Sequence, residues 1–187
     1  RAAGPKVEQH VTGLLVQLGM PLAQLRIEVA PAGELRADGA DLIRFLFTAN
    51  RNTSLQPIEK VASGGEMSRL MLSLKALVAA HAQLPTIIFD EIDTGVSGAI
   101  ADKMGEIITN LSGSLQVVNI THLPQVASKG DHHFLVYKEE APEGPLSRIR
   151  KLSSEARVAE IAKMLSGSAV TAAATEQARL LLGMEKL

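Results

Sequence analysis

Hydrophobic positions along the chain alternate between the period of a helix and that of a strand. Val7, Val11, Leu14, Leu15 and Leu18 recur at helical spacing, and Gly19-Met20-Pro21 ends the run with residues that disfavour its continuation. Leu25, Ile27 and Val29 then alternate with Arg26 and Glu28, the pattern of a half-buried strand. Pro31 to Gly33 and Asp38-Gly39 predict turns. Leu42 to Ala49 predicts a strand with Ile43, Phe45 and Phe47 on one face, and Asn50 to Glu59 a loop. From Glu66 to Ala82, a helical stripe of Met67, Leu70, Met71, Leu74, Leu77 and Val78 is closed by Pro85. The apolar burst Thr86 to Phe89 ends at Asp90, and Ile100, Met104, Ile107, Ile108 and Leu111 form another helical stripe before a second short strand, Leu115 to Ile120. Two short apolar strands separated by a helix predict a parallel strand–helix–strand crossover, with helices shielding both faces of the sheet. Phe134 to Tyr137 and Leu146 to Leu152 read as strands across a turn at Pro142 to Pro145. Val158 to Leu165 and Thr171 to Leu182 read as late helices. No repeat and no clear domain boundary is visible, only a change near Gly130 or Gly144.

Composition narrows the function classes. The chain's 187 residues fit one hydrophobic core with room for a smaller appended lobe. Its 19 Lys+Arg against 20 Asp+Glu leave a net charge of -1, which removes the broad electrostatic case for nucleic-acid binding. The compact basic cluster Arg148, Arg150 and Lys151 has no interleaved aromatics and reads as a solvated face. With 4 Phe, 1 Tyr and no Trp, the chain has too few rings for a base-stacking platform. The absence of Cys excludes disulfides and zinc-thiolate sites and is compatible with a reducing cytoplasm. No apolar run approaches the length of a membrane-spanning helix. The start, RAAGPKVEQH, has neither an initiator Met nor the apolar centre of a signal peptide, and reads as truncated or processed.

Three segments carry candidate chemistry. Ser63-Gly64-Gly65-Glu66 stands immediately before the strongest helix. Two glycines and an open helix N-terminus can receive an anion such as phosphate, but an ordinary serine cap with flexible glycines has the same local form. Asp90-Glu91-Ile92-Asp93 places three carboxylates at the carboxyl end of an apolar strand, where α/β sheets usually hold ligands. Crowded carboxylates repel unless a cation or donors compensate them, and Mg²⁺ bound through oxygen and water suits the cluster. Asp90 would then belong to the metal shell and Glu91 would orient and deprotonate a water; a solvated acidic loop capping the next helix is the alternative. Val117-Val118-Asn119-Ile120-Thr121-His122 repeats the form, with His122 able to donate to a phosphate or take part in proton transfer, or else simply structural. Asp131-His132-His133 reads as structural, because adjacent histidines seldom converge on a metal. Met67, Met71 and Met104 read as core fillers.

One motif is missing. A phosphate loop G-x-x-x-x-G-K-[ST] needs Gly before Lys and a hydroxyl residue after it, and no lysine here has either neighbour. The usual amide nest and ammonium that hold a triphosphate are therefore not in this chain, and alone it is not expected to be a competent ATPase.

The strings VASGGEMSRLMLSLKAL, PTIIFDEIDTGVSG and VVNITHLPQVA, in that order, resemble the carboxyl-terminal lobe of an ABC-type ATPase head in the SMC-like branch. Within that branch, DTGVSG and the upstream LFTAN resemble the RecN family of bacterial DNA repair and recombination proteins. The resemblance implies a P-loop NTPase α/β fold lacking its amino-terminal portion, with a mainly parallel sheet, flanking helices and residues 1–187 as one head lobe. Residues 1–18 would be a coiled-coil root or junction helix. It assigns Ser63, Gly64, Gly65 and Glu66 to the signature loop that meets ATP on a partner head, and Asp90 to the Mg²⁺ shell. Glu91 becomes the general base, the loop from Asp93 to Gly98 faces the partner, and His122 is the switch histidine. Arg69, one turn into the signature helix, would couple it to the coiled-coil side.

The partners implied are the amino-terminal portion carrying the phosphate loop, a second head in a homodimer, and DNA, with no membrane. The implied setting is the bacterial cytoplasm, at the nucleoid during double-strand break repair. Read without the resemblance, the same residues leave open a metal-dependent nuclease built on Asp90, Glu91 and Asp93. A non-catalytic lobe that docks a partner on the signature helix is also open.

Overall fold

The computed structural model describes the whole chain except Arg1, Asp38, Asn52, Ala62, Gln83, Glu143, Ser168 and 185–187. The chain divides into two compact units, residues 1–120 and 121–187, earlier than the change anticipated near Gly130 or Gly144.

The first unit opens with helix α1 (Gly4–Gln17), which carries Pro in its first turn, where a missing N–H removes no helical bond. The expected stop is a Schellman arrangement. Met20 N donates to the Leu15 carbonyl at 2.9 Å and Gly19 N to the Val16 carbonyl at 3.1 Å, with Gly19 at φ 76. A side chain at Gly19 would also meet Ile100, its Cβ falling 2.8 Å from the Ile100 Cδ1.

Strands β1 (Gln24–Arg36) and β2 (Gly39–Thr48) pair antiparallel, and the two-residue β3 (Gln56–Pro57) joins the other edge of β2. The turn expected at Pro31 to Gly33 is instead inside β1. It lies on an edge strand, where the ladder register shifts between Pro31 and Arg36, so the donor that Pro lacks is not required. Of the turn expected at Asp38-Gly39, Asp38 lies outside the described residues and Gly39 starts β2. The expected loop before Glu59 ends in β3 and a 3-10 turn, Ile58–Lys60. Ile43, Phe45 and Phe47 grade from exposed to buried along β2. Only the Leu25–Phe47 end of the sheet enters the core, beside Val11, Leu15, Met20, Ala23 and Leu70.

Helix α2 (Gly64–His81) is buried on two sides. Leu70, with Leu74 and Leu77, joins that core, while Leu72, Ser73, Ala76 and Ala79 are also buried and Val78 is exposed. The expected single stripe is therefore too narrow, as befits a helix sandwiched between layers.

Strand β4 (Thr86–Asp90), helix α3 (Gly98–Ser112) and strand β5 (Gln116–Ile120) form the expected parallel crossover, in register from Thr86↔Gln116 to Asp90↔Ile120. α3 buries Ala101, Met104, Gly105, Ile107 and Ile108. Phe89 is fully buried, but Ile88, Val118 and Ile120 on the opposite face are exposed. Helices thus shield one face of this pair, not both, among the described residues.

The second unit contains α4 (Pro124–Ala127), β6 (Phe134–Glu139), β7 (Leu146–Lys151), α5 (Ser154–Ser166) and α6 (Ala172–Leu181). Ile161 and Ala162 on α5 pack with Ala174 and Ala178 on α6. Ser153 and Thr171 cap the two helices, accepting from Ala156 N at 3.3 Å and Ala174 N at 3.1 Å. β6 and β7 are antiparallel, joined through the expected Pro142 to Pro145 turn, of which Glu143 lies outside the described residues. Arg148 pairs with Glu139 at 2.7 Å and Arg150 sits 5.4 Å over the Tyr137 ring, so much of the basic cluster is engaged within a solvated hairpin. Among the described residues parallel pairing is confined to β4–β5, and the fold is α/β with mixed sheets. No helix among the described residues is long and apolar enough to cross a membrane.

Arg157 ties α5 to the segment before β6, donating to the Asp131 carbonyl at 3.1 Å, the Ser128 carbonyl at 3.5 Å and the Gly130 carbonyl. Burial, and then the charge of Arg157, hold the His133 imidazole below its ordinary pKa, with Glu160 opposing. The unfolded chain therefore binds this proton more readily. The contribution of His133 to stability is complete above the ordinary value of about 6.5 and is lost as pH falls from there through the depressed value. Thermal melts between pH 7.5 and 5.5 should show this loss, and His133→Gln should flatten the profile over the same interval.

Candidate functional site

The Ser63 turn is a serine cap and an open helix end at once. Ser63 Oγ accepts from Glu66 N at 3.4 Å, in the S-x-x-E spacing of a capping box. Ser63 and Gly64 are exposed, so the cap satisfies one backbone donor and leaves the positive end of α2 facing solvent. Gly65 is where this turn meets the acidic segment. A Cβ on Gly65 would stand 3.1 Å from the Gly95 carbonyl, and one on Gly95 would stand 3.2 Å from Gly65 Cα. Gly95 also has φ 72, a conformation that side chains disfavour.

The acidic segment leaves β4 sharply. Asp90, opposite Ile120 in the ladder, is exposed, as is Glu91. Glu91 has φ 49 and is the one non-glycine among the described residues in the left-handed region. Such backbone strain persists where neighbours enforce it. Here Thr94 closes the turn, its Oγ1 donating to the Glu91 carbonyl at 2.9 Å and its N at 3.3 Å, while Ile92 and Val96 anchor the loop in the core.

Asp93 differs from its two neighbours in the cluster. It is 0% exposed, while the surface of the loop from Asp93 to Gly98 consists of Thr94, Gly95, Ser97 and Gly98. The three carboxylates therefore divide into an exposed pair and a buried third. No group of three or more His, Asp or Glu able to hold a metal forms among the described residues. Asp90, an exposed carboxylate at a strand end, fits a Mg²⁺ ion that completes its shell with water and phosphate oxygens.

His122 is exposed and is the second residue of the second unit, two residues along the chain from Ile120. Thr121 Oγ1 accepts from Leu123 N at 3.0 Å, fixing the turn around it ahead of α4. Within the first unit, Ser63, Gly64, Gly65 and Glu66 are thus joined to the loop of Asp90, Glu91 and Asp93 through Gly65 and Gly95. Sequence reasoning took Gly95 only as part of the DTGVSG loop and did not foresee its approach to Gly65. Replacing Glu91 by Gly should raise stability by about 1 kcal/mol by relieving the left-handed backbone while removing the carboxylate. Chemical denaturation of the two proteins measures the difference.

No protein-family profile matches the chain. The DNA repair protein RecN of Rickettsia bellii is 40% identical over 181 residues, covering 97% of this chain and 33% of that protein. RecN of Vibrio cholerae is 38% identical over 178 residues, covering 95% and 32%, and RecN of Bacillus subtilis 42% identical over 149 residues, covering 80% and 26%. The chain thus spans a third or less of the length of these relatives. Among solved structures, an Smc head domain with coiled coil and joint from Pyrococcus yayanosii superposes with a TM-score of 0.64 at 21% identity, covering 83% of this chain and 28% of that one. An SMC ATPase studied for ATP-driven dimerisation and DNA-stimulated activation superposes at 0.58 and 16% identity, covering 87% and 93%. By sequence the chain is RecN-like, and its fold is that of an SMC head lobe.

Proposed function

We propose that this chain supplies the signature loop, the Walker B carboxylates and the switch histidine for ATP hydrolysis in a head dimer, within a RecN-like protein of DNA double-strand break repair and recombination. The carrying observation is an exposed Asp90-Glu91 pair at the carboxyl end of a parallel strand, in a loop whose Gly95 abuts the Ser63 turn. The relatives support the repair setting and the bacterial cytoplasm, and the SMC-type fold supports the nucleotide chemistry.

Each residue has a physical task in this reading. Ser63 Oγ and the free amides at the start of α2 receive the γ-phosphate of a nucleotide held by a second head. Glu66, in the first turn, completes the cap. Asp90 holds Mg²⁺ through water. Glu91, fixed by its left-handed backbone and by Thr94, accepts the proton of an attacking water. His122 donates to the γ-phosphate of the nucleotide on its own head, not to the one that Ser63 meets. Mg²⁺ supplies charge neutralisation on the phosphates when bound. The grip on the β- and γ-phosphates comes from the partner segment with the G-x-x-x-x-G-K-[ST] loop. The γ-phosphate then bridges two surfaces, so hydrolysis weakens their association, and DNA handling follows that opening and closing.

The test is ATP turnover by this chain alone and joined to the segment that carries the phosphate loop. Turnover is expected only in the joined form, and Glu91→Gln there should retain ATP binding and lose about 100-fold or more in rate. Equal turnover with and without the added segment would refute the division of labour. Mg²⁺-dependent DNA cleavage by the chain alone, without ATP, would favour a nuclease, which the burial of Asp93 argues against. Loss of partner binding in Ser63→Arg, with no hydrolysis in any combination, would favour a docking lobe.

A further inference from the structure

Arg157 stands where its own helix gains nothing from it. It lies in the first turn of α5, the end at which a positive charge is disfavoured, and Ser153 already caps that end. Its guanidinium gives its hydrogen bonds to backbone, at the carbonyls of Ser128, Gly130 and Asp131, with no carboxylate among the partners. Its Nε is buried without a hydrogen-bond partner among the described residues, so the side chain bears a desolvated donor in order to reach the three.

Those carbonyls belong to the turn that leaves α4, a helix of 4 residues and too short to hold itself. Pro124 and Val126 are buried, and Ala127 packs against the α5–α6 core. Arg157 fixes the end of the helix, as that packing fixes its side. The other end carries His122. Leu123, the N-cap, is held extended at φ -96 and ψ 123 ahead of Pro124, whose ring disfavours a helical residue before it. The Leu123 carbonyl accepts from Val126 N at 3.1 Å and from Ala127 N at 2.9 Å, and the Pro124 carbonyl from Ser128 N at 3.0 Å. Leu123 N itself donates to Thr121 Oγ1 at 3.0 Å, closing the backbone around His122. The segment from Thr121 to Ser128 is therefore stiff, and a displacement at one end is carried to the other across about 6 Å of helix.

We infer that Arg157 is a positioning residue for His122, holding α4 from its far end so that α5 fixes where the imidazole stands. The catalytic consequence rests on the nucleotide reading of His122, whereas the clamp on α4 does not. The planar fork is part of the device, because a Lys ammonium concentrates its donors at one point and does not span three carbonyls.

The experiment uses Arg157→Met, His122→Ala and the double variant in the complete protein that carries this chain. Readouts are amide hydrogen exchange and ATP kinetics, with single-turnover hydrolysis for slow variants. Work at about pH 8, well above the ordinary imidazole value of 6.5, keeps His133 neutral beside Arg157 and removes its titration from the comparison. Arg157→Met should raise exchange at Leu123, Val126, Ala127 and Ser128 by about tenfold, from the loss of its charge-assisted bonds. It should lower kcat by about tenfold with KM within about twofold, since the histidine loses alignment and the nucleotide keeps its other contacts. In the His122→Ala background the same substitution should change the rate by less than about twofold, because the group it acts through is gone. A tenfold loss in both backgrounds would overturn the inference, as Arg157 would then act without His122. Unchanged exchange at the four amides would overturn the clamp itself. If His122→Ala turns over ATP at the unsubstituted rate, the nucleotide reading of His122 fails while the exchange data still decide the clamp. Should Arg157→Met fail to fold, Arg157→Lys, which keeps the charge and loses the fork, enters the same cycle under the same criteria.

Discussion

The first unit is organised around the approach of two backbones, at Gly65 and Gly95. With a 3.1 Å gap between a would-be Cβ and a carbonyl oxygen, neither position accommodates a side chain without a shift. This contact turns two separate loops into one surface. One of them carries the open end of a helix, with its donors; the other carries exposed carboxylates, with their acceptors.

The loops are held differently, and the difference follows from sequence. The Ser63 turn is fixed by a helix cap, a local interaction that any S-x-x-E segment before a helix can make. The acidic loop is fixed by burial of Ile92, Asp93 and Val96 and by the Thr94 bonds to the Glu91 carbonyl. The Glu91 backbone is thereby kept at φ 49, in the left-handed region that non-glycine residues seldom adopt.

Much of this was legible beforehand, for identifiable reasons. The stop of α1 at Gly19 and the β4–α3–β5 crossover follow from periodicity and from glycine, which are local signals. The position of Asp90 and Glu91 at a strand end follows from a short apolar run broken by carboxylates. What was not legible depended on distance or context. Pro31 reads as a breaker until the strand is known to lie on an edge. Asp90, Glu91 and Asp93 look equivalent in sequence, yet only the third is buried, because it lies between the anchoring residues Ile92 and Val96. The meeting of Gly65 and Gly95 is a long-range contact with no periodic trace. The exposed face of Ile88, Val118 and Ile120 reads like its buried counterpart, since apolarity alone does not say which side of a strand a helix covers.

Val11 and Leu15 sit in the core, Glu8 accepts from Ile27 N at 2.7 Å and the Leu18 carbonyl accepts from Arg69 at 3.2 Å, which together give α1 a fixed rotational phase. A helix advances about 100° per residue, so one residue added or removed before Leu18 swings the upstream faces of α1 by more than a quarter turn relative to those anchors. Length changes in α1 should therefore follow helical periodicity in their effect, with whole turns tolerated better than single residues.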